Sequence, residues 1–288
     1  MSLNELKPDV VSGQLLQRLN DASVFAQVSN TDYEGEITNW GQSVRIVEIG
    51  AVTVRSYTMG STSDITIEQL PDASKTLQIN QSAYYGFTIE DADNAQARIK
   101  VLNAGITEAA WGLRDNIDAY IIAQAKGTNG AGLAVSGTSA TGTNTTSTNI
   151  LVQFMEAARK LDENNAPAQG RWCTAPAWYV QKAALAGIVQ KTENASVFAG
   201  GAQSLGNVYG FELFSTNNSV ATSGTDRYPV LFGYRGSISM ATQVLTSEVV
   251  RPSKQFVTLA KGLAVYGMKV VRPNQLGIAW VDYTAEAT

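Results

Sequence analysis

Residues 77–127 read LQINQSAYYGFTIEDADNAQARIKVLNAGITEAAWGLRDNIDAYIIAQAKG, and two periodicities meet inside this stretch. In the first part Leu77, Ile79, Ala83, Tyr85, Phe87 and Ile89 fall on odd positions, with only Gln81 breaking the series. That alternation predicts a single strand of thirteen residues. At about 3.3 Å per residue it spans roughly 40 Å, against about five or six residues for an ordinary strand, so a projecting hairpin is expected. The spacing then becomes helical, through Ile99, Leu102, Ile106, Ala109, Leu113, Ile117, Tyr120 and Ile121. Asp93 suits the N-cap and Gln96 the third helical position. No proline follows until Pro167, so the helix is expected to run to Ala125 or Lys126 and stop at Gly127. About 33 residues at about 1.5 Å each make a rod of about 50 Å, far beyond the average helix.

Working outward, the chain opens on a short arm. Val10, Val11, Leu15, Leu16 and Leu19 keep a helical spacing after Pro8, interrupted by Gly13, and one such helix has no core of its own. From Val44 the period is two, and its change of phase predicts a bulge near Glu48 to Gly50. Residues 56–75 are polar and carry Gly60 and Pro71. Beyond the long helix, residues 127–148 are rich in Gly, Ser and Thr and are expected to form a flexible loop; no Gly-Lys-Ser/Thr follows to make it a phosphate loop. A helix from Asn149 to about Asp162, a strand at Trp172 to Ala175, a helix from Ala177 to Leu185 and strands at Phe211 to Ser215 and Tyr228 to Tyr234 come next. The chain then extends from Ile238 to Val250 and returns through Phe256, Val257, Leu259, Leu263 and Val265.

Composition removes whole classes of function. The 288 residues include 21 Lys+Arg against 25 Asp+Glu, a net charge of -4, one cysteine and no histidine. Imidazole general bases, Ser-His-Asp and Cys-His couples and the common zinc sites are therefore out, and Cys173 has no intrachain disulfide partner. The acidic balance argues against a dedicated nucleic-acid binder. Only 16% of residues are charged, against about 25% in ordinary soluble chains, which points either to surface buried in an assembly or to a Ser/Thr-rich secreted β-protein. The opening residues lack an apolar core segment and no stretch approaches a membrane span, so neither a signal peptide nor membrane contact is expected. Asp91 and Asp93 read as helix-capping acids, Asp115 and Asp118 as solvated charges beside Arg114, and Cys173 as a buried small residue. No catalytic, cofactor-binding or metal-binding residue is predicted.

Four runs together suggest a family. Residues 30–46 (NTDYEGEITNWGQSVRI), 87–97 (FTIEDADNAQA) and 206–215 (GNVYGFELFS), with the KVVRP at 269–273, resemble in order the coat proteins of tailed bacteriophages of the Hong Kong 97 type. The resemblance implies an α+β capsid fold in the following parts: an N-terminal arm (1–30), lead-in strands (31–50), an extended β-hairpin loop (51–90) and a peripheral domain with spine helix and flexible loop (91–148). An α/β axial domain (149–236), a long peripheral hairpin (237–262) and a C-terminal axial strand (263–288) complete it. It further implies a non-enzymatic major capsid protein, assembled in the bacterial host cytoplasm. Pentamers and hexamers of it would form an icosahedral virion head around double-stranded DNA touched only weakly and non-specifically. A separate scaffolding protein and a portal are the other implied partners. Some relatives crosslink a loop lysine to a neighbour, which is not expected of Lys75. Because the extended loop of such proteins lies on a neighbouring subunit, the acids Asp64, Glu68 and Asp72 are expected to meet the basic turn of Arg251, Lys254 and Lys261, with Lys75 the one lysine in the loop. The alternatives are an encapsulin-like protein compartment with the same fold and an extracellular Ser/Thr-rich adhesin or carbohydrate-binding module.

Overall fold

The computed structural model describes residues 23–32, 43–46, 53–56, 59, 67–69, 74–90, 101–127, 133–187, 207–219, 226–252 and 256–284. The expected arm helix, the bulge near Glu48 and the start of the long helix lie outside these residues. The helices are α1 (Val24–Val28), α2 (Val101–Lys126), α3 (Ile150–Glu163) and α4 (Ala177–Leu185). The strands are β1 (Ser43–Ile46), β2 (Lys75–Gln78), β3 (Gln81–Glu90), β4 (Leu133–Ser136), β5 (Thr143–Thr145), β6 (Arg171–Ala175), β7 (Asn207–Val208), β8 (Phe211–Ser215), β9 (Arg227–Tyr234), β10 (Ile238–Val250), β11 (Val257–Val270) and β12 (Leu276–Tyr283). No helix among the described residues is long and apolar enough to cross a membrane.

A seven-stranded mixed sheet, in the order β4-β12-β9-β6-β8-β7 with β5 also on β12, carries one half of the molecule. Its central strands are buried on both faces, which is why β6 reads as an unbroken buried run rather than an alternation. One face supplies Cys173, Ala175, Phe211, Leu213, Val230, Phe232 and Val281 to a core closed by α3 and α4. The opposite face supplies Trp172, Phe214, Leu231, Leu276 and Ile278 to a second core shared with α1, α2, β10 and β11. α2 enters that core along one stripe, Ile106, Ala110, Leu113, Ile117, Ile121 and Ala125, and ends at Lys126 as the sequence predicts.

The other half is a three-stranded antiparallel sheet, β10-β11-β3. β10 and β11 form the long hairpin, paired from Ile238 with Val270 to Val250 with Leu259, with a bulge between Val244 and Thr246. Side chains of β11 alternate between two cores: Ala264, Tyr266 and Val270 face α2. Val265, with Ala241 of β10, faces a third cluster built from Val44, Ile46, Leu77 and Ile79 of the β1-β2 ribbon.

Two expectations change here. The thirteen-residue strand is broken at Ile79 and Asn80: β2 pairs with β1, whereas β3 leaves the ribbon and pairs with β11 from Gln81 with Tyr266 to Glu90 with Val257. The ribbon crosses β11 at Gly267, where a Cβ would stand 2.3 Å from the Gln78 carbonyl oxygen, so only glycine admits the crossing. The odd positions are buried on both sides of the break, but Leu77 and Ile79 serve one core and Ala83 another. Within the expected flexible loop, residues 133–136 and 143–145 are instead strands, both parallel to β12. Val135 is buried in the core under α3, and the Asp282 carboxylate lies so close to Gly142 that a Cβ there would sit 2.1 Å from its Oδ1.

Gly112 lies on the exposed side of α2 with open space around its missing Cβ. Gly112→Ala is therefore expected to stabilise the subunit by about 1 kcal/mol, the ordinary helix-propensity gain. Gly267→Ala is expected to destabilise it by about 1–3 kcal/mol, because the clash is with backbone. Denaturant unfolding of the two variants checks both signs.

Candidate intersubunit surface

The loop between β1 and β2 and the hairpin turn expose apolar side chains that none of the described cores covers. Val54 is 94% exposed, Met59 93% and Ile67 85% on the loop, while Phe256 at the hairpin turn is 89% exposed. Single exposed apolar residues are ordinary, but these four, the most exposed large apolar residues among those described, fall on one loop and one hairpin turn, which makes those two elements the candidate contact surface. The Thr53 amide donates to the Glu68 carboxylate at 2.6 Å, tying the two legs of the loop together between Val54 and Ile67. The sequence reading missed these four residues. Their signal was present as isolated apolar residues in otherwise polar or turn-forming segments, which periodicity does not register.

The charged candidates separate into three groups. Glu68 sits on the loop in the contact just described, and Arg251 is exposed directly after β10. Lys75 belongs to the base of the loop rather than its tip: it opens β2 and donates to the Val271 carbonyl. Lys261 stands opposite Glu248 in the hairpin register and pairs with it at 3.0 Å, both side chains about half exposed. Asp64, Asp72 and Lys254 lie outside the described residues.

The pair Asp115 and Asp118 splits in a way that corrects the solvated reading. Asp115 is exposed and pairs with Arg114 at 2.8 Å. Asp118 is fully buried, next to Ile117 on the core stripe of α2, and accepts hydrogen bonds from the Ser23 hydroxyl at 2.7 Å and the Val24 amide at 3.2 Å. Burial raises its pKa from 3.8 to about 6, against the opposing effects of those two bonds, the Arg114 charge and the Phe25 amide. A carboxylate three residues before Ile121 and four before Ile122 was the available sequence signal. Cys173 is buried as expected, and burial pushes its thiol pKa well up, so it is no nucleophile. Among the described residues no cluster of three or more acids or cysteines is placed to hold a metal.

No protein-family model and no curated protein matches this sequence. Solved structures do match, over nearly the whole chain. A structure from Mycobacterium phage Che8 is 22% identical with a TM-score of 0.64, covering 89% of this chain and 90% of that one. The capsid structure of the cyanophage P-SCSP1u is 17% identical with a TM-score of 0.63, over 92% of this chain and 89% of its own. This chain has the fold of bacteriophage capsid proteins. A virus-like particle from Pyrococcus furiosus has the same capsid fold at 12% identity and a TM-score of 0.56, over 94% of this chain and 98% of that one. The α+β capsid fold anticipated from the four sequence runs is therefore present.

Because the Lys261–Glu248 pair is half exposed, its loss is expected to be small. Lys261→Gln should lower subunit stability by about 0.2–1 kcal/mol, and by less at high salt. A double-mutant cycle with Glu248→Gln, measured by thermal unfolding at two ionic strengths, checks this.

Proposed function

We propose that this chain is a major capsid protein of the Hong Kong 97 type, whose pentamers and hexamers build an icosahedral phage head around double-stranded DNA. The observation that carries the reading is the capsid fold matched over about nine-tenths of both chains in each comparison. The exposed apolar set on the loop and hairpin tip adds the local reason: these side chains need a neighbouring subunit to leave water. In this reading α2 is the spine helix, β10 and β11 with β3 form the peripheral domain, and the seven-stranded sheet with α3 and α4 forms the axial domain. The loop reaches onto the hairpin of an adjacent subunit. Scaffold and portal are separate proteins, and the net charge of -4 suits a container that does not grip its genome.

Electron microscopy of the purified protein over a range of concentrations, with and without co-expressed scaffold, tests the assignment. Rings, tubes or closed shells are expected; a compact monomer under every condition overturns it. Replacing residues 57–73 by a short Gly-Ser turn keeps β2 and both large cores. That variant should fold by circular dichroism yet form no closed shells.

The charge contact is tested by reversal. Arg251→Glu with Lys254→Glu should impair assembly, and adding Asp64→Lys with Glu68→Lys should restore it. Each exposed pair contributes only about 0.2–1 kcal/mol, but the contact repeats at every subunit of a shell. Assembly of the four-fold variant no better than that of the double variant would disprove the pairing.

The likeness to the Pyrococcus furiosus virus-like particle favours one second reading, an encapsulin-like shell holding a protein cargo. Particles purified from the native source separate the two: nuclease-protected DNA supports the phage head, and a co-purifying enclosed protein without DNA supports the compartment.

A further inference from the structure

We propose that residues 143–149 form a polar lid over the buried amine of Lys182, and that this lid opens as a local unit without unfolding the sheet beneath it. Lys182 follows Trp178 by four residues on α4, so the two side chains share one face of that helix. Its side chain is long and cationic, yet the residue is only 4% exposed. The ammonium donates to the Thr145 carbonyl at 2.5 Å and to the Thr284 carbonyl just beyond β12. Two rings complete the enclosure, with the centroid of Trp178 at 5.6 Å and that of Tyr283 at 5.3 Å from the ammonium. The same two rings meet edge-on at 5.3 Å, so the amine is closed in by α4, by the end of β12 and by β5.

The β5 side of this enclosure is fastened by hydrogen bonds. Thr145 is fully buried, and its hydroxyl accepts from the Gln153 side-chain amide at 3.1 Å, while the Gln153 carbonyl accepts from the Tyr179 hydroxyl at 3.0 Å. The Asn149 side chain donates to the Asn144 carbonyl at 2.7 Å and accepts from the Thr146 amide at 2.9 Å. β5 pairs with β12 over three residues, Val281 to Tyr283. No side chain of residues 143–149 enters an apolar cluster among the described residues. The flanks differ: Val135 of β4 and Ile150 at the start of α3 are both buried in the core. Opening between these fixed ends exchanges hydrogen bonds with the protein for hydrogen bonds with water, which costs little net, and uncovers little apolar surface. β6, with Trp172 and Cys173 in opposite cores, cannot leave its place so cheaply. The lid therefore sits at the low end of local stability, and its opening delivers a primary amine to solvent.

Amine acetylation and hydrogen exchange on the full-length chain test this, at one pH and in one assembly state verified by light scattering. The probe is the N-hydroxysuccinimide ester of acetic acid, and mass spectrometry compares Lys182 with Lys261, whose side chain is about half exposed. Lys182 should react more slowly than Lys261 by about tenfold or more, and peptides spanning 143–149 should open more often than those of β6 by about tenfold or more. Thr145→Val removes the bond from Gln153 and keeps the main-chain carbonyl. It should raise lid opening and Lys182 acetylation together, by about tenfold, with β6 unchanged. Lys182→Met keeps the length of the side chain and loses its donors, and should raise lid opening by about tenfold to a hundredfold, again with β6 unchanged. Acetylation of Lys182 as fast as that of Lys261 means that no lid covers it, and acetylation only as β6 opens means that nothing opens locally; either overturns the proposal. A Thr145→Val chain in which Lys182 acetylation does not rise with lid opening, or a lid unchanged in Lys182→Met, overturns it as well. If Lys182→Met does not fold, the native chain and Thr145→Val decide.

Discussion

β11 is bonded along both edges, to β10 from Leu259 to Val270 and to β3 over ten residues, and its side chains alternate into two different cores. A strand in that position leaves little freedom to anything around it. Its backbone groups are satisfied only if both neighbours hold register, and a slip of one residue would exchange the set facing α2 for the set facing the ribbon. The long helix, the ribbon base and the hairpin are all placed by this strand. Gly267 marks where the arrangement is tightest, since the ribbon backbone crosses β11 there with no room for a side chain.

The seven-stranded sheet obeys a related constraint. Trp172 and Cys173 are neighbours in sequence and belong to different cores, and the same holds for Leu231 and Phe232. Covering both faces requires α3 and α4 on one side and the α2-hairpin layer on the other, so the two halves of the molecule are joined through a common apolar cluster. What remains outside these cores is the loop and the hairpin turn, which carry the most exposed apolar residues among those described. Exposed apolar side chains of this kind favour association, because burying them against a neighbour removes their apolar surface from water.

Much of this was legible residue by residue. The stop of the long helix at Lys126, α3 and α4, the strands at Phe211 and Tyr228 and the return hairpin all follow from spacing, capping and turn chemistry, which are local. Partner choice was not legible. Nothing in LQINQSAYYGFTIE states that Leu77 and Gln78 pair with Val44 and Ser43 while Gln81–Glu90 pair with Val257–Tyr266, because alternation records which side chains are buried and not which core receives them. The short strands at 133–136 and 143–145 escaped for a different reason: Gly, Ser and Thr carry almost no apolar signal, and these segments are ordered by the edge of β12.

The candidate surface divides along the same line. Sequence alone determined the inventory: no histidine, one cysteine, few charges, acids in the loop and bases at and after the hairpin turn, and motifs resembling a capsid protein. Tertiary structure decided the environments, which depend on contacts made across the chain. It drew Lys261 into a pair with Glu248, set Lys75 at the loop base against Val271, and exposed Val54, Met59, Ile67 and Phe256. It also buried Asp118 under a segment 95 residues away in sequence. Residue type fixes what a group can do in water, but the desolvation and hydrogen bonding that change its behaviour come from neighbours that only the folded chain brings near.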